Sequence, residues 1–294
     1  MTDSPKPHTT ALVVAHPGHE LLVYHWVEKH RPIYCCLTDG SGGWATSRVS
    51  STTRLLNTVG APIGPIYGRY PDTLVYRLLL DGRVDVFVAL AQELAAALAK
   101  AGVDCVAGDA IEGFNPAHDV CRLIVNGAVG ILRRQGREVR NYEFLLDGPP
   151  EVDDPGSVVV RLDEPALERK LAAAREYTEL RDETEAALGR YGRQAYAMEC
   201  LRPAATTSPT LRFEQEPPDY ERYGERRVKE GRYVDIIRYR DHVRPVAAAI
   251  AAITKSEHFR QDQAVLVAVT DETTTTGASA LNREGRPSSH LTSS

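Results

Sequence analysis

Three histidines in this 294-residue chain are placed where their side chains could share a cation. His16 and His19 stand three positions apart in ALVVAHPGHE, directly after a short apolar run, and His118 follows the turn Asn115-Pro116-Ala117 much later in the chain. Neutral imidazole is a good donor to zinc and to other divalent transition metals, and a catalytic zinc takes three protein donors and leaves a fourth position open. Two histidines beside a turn can also do plainer work, capping a helix or bonding to backbone. HxxH spacing alone therefore leaves open a metal site and a strand simply leaving the core.

The elements around these residues decide whether they can meet. Residues 11 to 15 (ALVVA) form a short apolar run of the kind buried on both faces of a parallel sheet. After the Pro17-Gly18 turn, HELLVYHWVEKH has helical spacing, with Leu22 and Trp26 at i,i+4, and IYCCL at 33 to 37 reads as a second strand ended by TDGSGG. A helix is expected around 47 to 59 and a strand near Ile63 to Tyr67. Val84 to Ala101 should be a helix closed by Gly102, and VDCVAG a further strand. GDAIEGFNPA then reads as a loop, HDVCRLIVNGAVGILRRQG as a helix and EVRNYEFLL as a strand. This alternation predicts an α/β fold: a Rossmann-like open, mostly parallel sheet with helices on both faces. Ligands of such sheets sit beyond the carboxyl ends of the strands, and HPGHE, TDGSGG and GDAIEGFNPAH are the loops that converge there.

Residues 1–148 are expected to be the core carrying the site. Residues 149–269 are expected to be a C-terminal helical and strand subregion packed on it. This subregion includes the strand VVVRL, one long charged helix PALERKLAAAREYTELRDETEAALGR, and a last helix from about Asp235 to Ile253. Residues 270–294 lack apolar periodicity and read as a disordered tail.

Composition removes several function classes. Forty acidic and thirty-five basic residues give a net charge of −5, and the basic residues are dispersed, which argues against nucleic acid as a partner. The polar N-terminus and the lack of a long uncharged run predict a cytoplasmic chain with no membrane span. Cys35, Cys36, Cys105, Cys121 and Cys200 have no paired ligand spacing and are expected as reduced, buried thiols.

A strand followed by A-H-P-x-x-E, then T-x-G-x-x-G after the second strand, then a histidine opening a helix after N-P-x-H, resembles the LmbE-like or PIG-L-like metal-dependent N-deacetylases. The resemblance spans roughly residues 11 to 146. It implies a zinc-dependent hydrolase, using Zn2+ or another divalent transition metal, in which activated water attacks an amide carbonyl. The implied substrate is a small molecule, an N-acylated amino sugar or glycoconjugate, and a homo-oligomer is compatible with it. His16, His19 and His118 fall on the family's metal ligands, His19 replacing an aspartate. Glu20 falls on a structural glutamate, and Arg48, Arg69 and Asp72 lie where the family lines its substrate cleft.

One departure is chemically serious. The family's AHPDDE reads Ala15-His16-Pro17-Gly18-His19-Glu20 here, so the aspartate expected to act as general base is Gly18, which cannot move a proton. The replacement candidates are Asp39, after the second strand, and Glu112, in the loop of His118, with Asp109 and Asp119 behind them. His242 in the C-terminal region is a candidate substrate clamp, although a histidine on a helix is more often a packing residue. Beside the hydrolase stand two other readings: a catalytically altered or silent metal- or glycan-binding protein of the same fold, and an enzyme of this scaffold with another bond specificity.

Overall fold

The computed structural model describes residues 8–42, 46–148, 155–204 and 211–255. The chain runs through β1 (Thr10–Val14), α1 (Tyr24–His30), β2 (Ile33–Thr38), α2 (Val49–Val59), β3 (Ile63–Tyr70), α3 (Asp72–Leu80) and α4 (Val84–Ala101). It continues through β4 (Cys105–Asp109), α5 (Pro116–Arg134), β5 (Arg140–Phe144), β6 (Val158–Arg161), α6 (Glu164–Glu176) and α7 (Arg181–Tyr191). The last elements are β7 (Met198–Pro203), α8 (Asp219–Lys229) and α9 (Arg244–Lys255).

The strands form a seven-stranded sheet in the order β3-β2-β1-β4-β5-β7-β6. Pairing is parallel from β3 across to β5, and β7 runs antiparallel to both β5 and β6. Every residue of β1 and β4 is buried, as expected of central strands covered on both sides. Alternation splits the apolar side chains between two faces. Ala11, Val13, Cys35 and Leu37 join one cluster with residues of α4, α5 and α9, while Leu12, Val14, Tyr34 and Cys36 join another with residues of α1, α2 and α6. The α/β class and the helices on both faces are therefore as the pattern predicts.

Local signals were followed where they were strong. α4 closes on Gly102 at φ 69°, a left-handed C-cap that glycine adopts without strain. α5 opens with the Asn115 side chain accepting the Ala117 N–H at 2.8 Å, with Pro116 in its first turn. All five cysteines are buried thiols outside any disulfide. Among the described residues no helix is long and apolar enough to cross a membrane.

The C-terminal half corrects several expectations. The long charged helix is two, because Tyr177 leaves helical geometry at ψ 88°. Its ring is buried and its hydroxyl lies 2.8 Å from the Thr52 hydroxyl, a tertiary contact that outweighs local helix propensity. The last helix begins later than Asp235, with a wide turn over Tyr239–Val243 leading into α9. Strand β7 and helices α3 and α8 were not anticipated. The segment before α1 is a tight turn over His19–Val23 rather than regular α-helix. The expected tail at 270–294 lies outside the described residues.

One ion pair ties this half to the core. Lys170 of α6 is 3% exposed and donates to Glu199 of β7 at 2.9 Å and to the Leu22 carbonyl at 2.7 Å. Glu199 in turn accepts the His25 and Trp26 N–H groups, both at 2.9 Å, and so caps α1, whose own N-cap Val23 has no side-chain acceptor. Lys170→Met leaves that carboxylate buried without its cation, so it should lower unfolding free energy by about 3–5 kcal/mol. Denaturant titration of the variant against the parent chain checks this, and a shift within error would reject the pair as a structural tie.

Candidate functional site

The strand order reverses between β1 and β4, with β2 and β3 on one side and β5 on the other. A crevice beyond the strand ends is expected at that point, and all three histidines reach it. His16 lies two residues past β1, His19 opens the turn that follows, and His118 is in the first turn of α5 after β4. Ring centres are 5.3 Å apart for His16 and His19, 4.8 Å for His16 and His118, and 4.7 Å for His19 and His118.

Hydrogen bonds determine which nitrogen each ring presents. The Thr38 hydroxyl donates to the Ala15 carbonyl at 3.0 Å, so its oxygen is left to accept from His16 Nδ1 at 2.7 Å. Asp72 Oδ1 also approaches that nitrogen, at 2.8 Å. The proton therefore sits on Nδ1, and Nε2 keeps its lone pair, 3.4 Å from the Asn115 amide nitrogen. His19 Nδ1 faces Asp109 Oδ1 at 3.0 Å, which likewise puts the proton on Nδ1 and the lone pair on Nε2. Histidine metal ligands carry this same pattern, a carboxylate or other acceptor on one nitrogen leaving the other for the metal.

Electrostatics favour neutral rings at His16 and His118. Burial lowers the pKa of His16, outweighing the pull of Asp72 in the other direction. Burial, then His19 and His16, take His118 well below the ordinary imidazole value. Burial alone would raise Asp72, but its contacts with His16, Thr38 and the Gly42 N–H hold it at about 2.

Whether a metal fits can be judged from the donors. Among the described residues no three His, Cys, Asp or Glu groups are drawn together into a ready-made metal cluster. The rings themselves stand at the right spacing, since imidazoles bound at about 2.0–2.1 Å to a tetrahedral ion have centres roughly 5 Å apart. The donor chemistry fits a borderline divalent ion of the zinc type.

The other candidates fall elsewhere. Asp39 accepts the Ser41 N–H at 2.9 Å and so closes its own turn. Glu112 accepts the Leu146 N–H at 2.7 Å, and burial raises its pKa. Each carboxylate is thus engaged by loop backbone. Asp72 does not face the cleft as a substrate contact; it is 2% exposed and lies behind His16. Arg69 makes a bidentate pair with Glu93 of α4, both contacts at 2.6 Å. Arg48 donates its N–H to the Asp39 carbonyl at 2.8 Å and packs its side-chain stem against Gly40. His242 accepts the Arg238 N–H at 2.8 Å within its own turn. Asp119 accepts the Glu112 and Gly113 N–H groups, and burial pushes its pKa up to about 7. Glu20 is fully buried and accepts the Gly18 N–H, the Tyr34 hydroxyl and the Thr52 hydroxyl at 2.8, 2.8 and 2.6 Å.

Residue types at single positions did not reveal Asp109, Thr38 or Asn115 as supports of the histidines. Asn115 carried the one readable signal, as the N-cap before Pro116, but its second contact, toward His16, required the fold.

Gly18 itself is constrained. Its φ is 106°, and a Cβ placed there would lie 2.3 Å from Leu180 Cδ1. Restoring an aspartate with Gly18→Asp should therefore cost about 1–3 kcal/mol from backbone strain and overpacking. Part of that loss should return in a Leu180→Ala background, read from denaturant midpoints of the four chains. Equal losses in both backgrounds would show that Leu180 is no obstacle.

No family model matches the chain, and no curated protein matches it. Several solved structures resemble its backbone, three of which follow. One is the antimicrobial reagent A40926 pseudoaglycone deacetylase Dbv21, with TM-score 0.48 and 16% identity over 67% of this chain and 97% of that one. The zinc-inhibited form of teicoplanin deacetylase Orf2 gives TM-score 0.45 and 14% identity over 68% and 100%. A deacetylase–bog complex from the biosynthesis pathway of teicoplanin gives 0.45 and 15% over 68% and 100%.

Proposed function

We propose that the chain is a hydrolase that binds a divalent transition metal, zinc by preference, through His16, His19 and His118, and cleaves the amide of a small N-acylated amino-sugar-type substrate. The observation that carries the reading is the convergence of three imidazole rings from the HPGHE loop and the first turn of α5, with centres 4.7 to 5.3 Å apart. The motif resemblance between residues 11 and 146 supports the amide and the sugar. An ion held there would polarise a carbonyl and lower the pKa of a water toward about 7.

The chain's own groups have narrower tasks. Thr38 and Asp72 orient His16, and Asp109 orients His19. Asn115 caps the first turn of α5 and bonds Tyr76, whose hydroxyl lies 3.1 Å from the Asn115 amide nitrogen; its contact with His16 Nε2 is made to the nitrogen that an ion would take, and would give way to it. Glu20 fixes the Gly18 peptide. General-base assistance, typically worth about 10² to 10⁴-fold, would fall to Asp39 or Glu112, each of which has one carboxylate oxygen engaged by loop backbone.

A second reading, a metal- or ligand-binding protein without hydrolysis, is favoured by Leu180, whose side chain fills the space that a side chain at position 18 would need.

Two measurements on the full chain separate these readings. Metal analysis and zinc titration should give one ion per chain, and His16→Ala or His118→Ala should weaken binding by more than about a hundredfold, beyond the loss expected from a supporting residue. Acetate release from a panel of N-acetylated amino sugars should be metal-dependent and abolished by the same variants. Binding without release would leave the silent reading standing, and absence of metal binding at neutral pH would reject the hydrolase and the metal-binding form of the second reading.

A further inference from the structure

Behind His19 lies a buried cation for which the sequence suggested no function. Arg122, on α5, is fully buried. Its Nε donates to the Asp109 main-chain carbonyl at 2.5 Å, its Nη1 to Asn141 Oδ1 at 3.0 Å and its Nη2 to the Tyr142 carbonyl at 3.1 Å. The guanidinium therefore joins the carboxyl end of β4 to β5, and its charge interacts with Asp109 and Glu143. Space for it has been kept in the adjacent strand, where a Cβ at Gly108 would lie 2.8 Å from Arg122 Nη2 and 2.1 Å from the Val13 carbonyl.

Asp109 has two jobs at this junction. Oδ2 accepts the Ala15 N–H at 2.7 Å, and Oδ1 faces His19 Nδ1 at 3.0 Å. An ionised carboxylate accepts and cannot donate, so a carboxylate fixed in this position dictates where the His19 proton sits. Burying a guanidinium is costly unless its donors are engaged and a counter-charge is near. Here both conditions hold around Asp109.

We propose that Arg122 is a positioning residue which, by anchoring Asp109 from beneath, locks His19 in the tautomer with its proton on Nδ1 and its lone pair on Nε2. The metal consequence rests on the function proposed above; the tautomer does not, because it belongs to the metal-free chain.

The test is nitrogen NMR of histidine-labelled full chain without metal, with the His19 signals assigned by loss in His19→Gln. The parent chain should show His19 protonated at Nδ1 alone. Arg122→Met should give a mixture of tautomers, Asp109→Asn should do the same or invert the preference, and both should weaken zinc binding by about 10 to 100-fold, as supporting groups do. Arg122→Lys, which keeps a charge but loses the fork, should fall between. A parent chain with His19 protonated at Nε2 overturns the proposal even if the variants do not fold. So does a folded Arg122→Met with an unchanged His19 signal. A chain that binds no zinc but shows the Nδ1 tautomer and its loss in Arg122→Met refutes the proposed function and leaves this positioning role intact.

Discussion

The carboxylate of Asp109 joins two loops that no local interaction would bring together. β1 and β4 pair in parallel at the point where strand order reverses, and beyond the last shared rung the Ala15 N–H has no strand partner. Asp109 Oδ2 accepts that N–H at 2.7 Å, which satisfies a buried donor and aims Oδ1 at His19. A buried amide left unpaired would cost about 1–3 kcal/mol, so the same contact holds the sheet end closed and sets the direction of an imidazole.

A second polar network holds the rest of the HPGHE loop. His16 rests on Thr38 and Asp72, and Glu20 gathers the Gly18 N–H and the hydroxyls of Tyr34 and Thr52. The Thr52 hydroxyl then meets Tyr177 from the far side of the chain, and Ser51 donates to Glu179 at 2.7 Å. The turn between α6 and α7 is thereby fastened over the loop, and Leu180 closes the space beside Gly18. Buried networks of this kind are stable only when their members are satisfied, which explains why the loop carries so many fixed contacts for so few residues.

The charge balance around the histidines follows from these supports. Three neutral donors leave the full double charge on any divalent ion, more than a site with a ligating carboxylate would. Asp72 and Asp109 stand behind two of the three rings, so under the proposed function two carboxylates would lie near an ion without touching it. The acid groups hold the rings, and the side chain of Leu180 occupies the space beside Gly18.

Much of the framework could be read from the chain alone. The apolar run before His16, the Gly102 stop and the Asn115-Pro116 start are local signals, and short-range sterics and hydrogen bonding decide them, so the α/β core and the three converging histidines followed. The split of the long charged helix at Tyr177 did not follow, because helix propensity there is overruled by a buried ring bonded to Thr52; nor did α3, β7 and α8. The roles of Asp72, Asp109 and Arg122 were equally hidden, since an acidic or basic residue reads the same whether it faces solvent, substrate or another side chain. Sequence by itself determined which donors exist and which loops carry them; only the tertiary structure decided which nitrogen each ring offers and what stands at Gly18, because those depend on partners brought close by strand order and not by spacing along the chain.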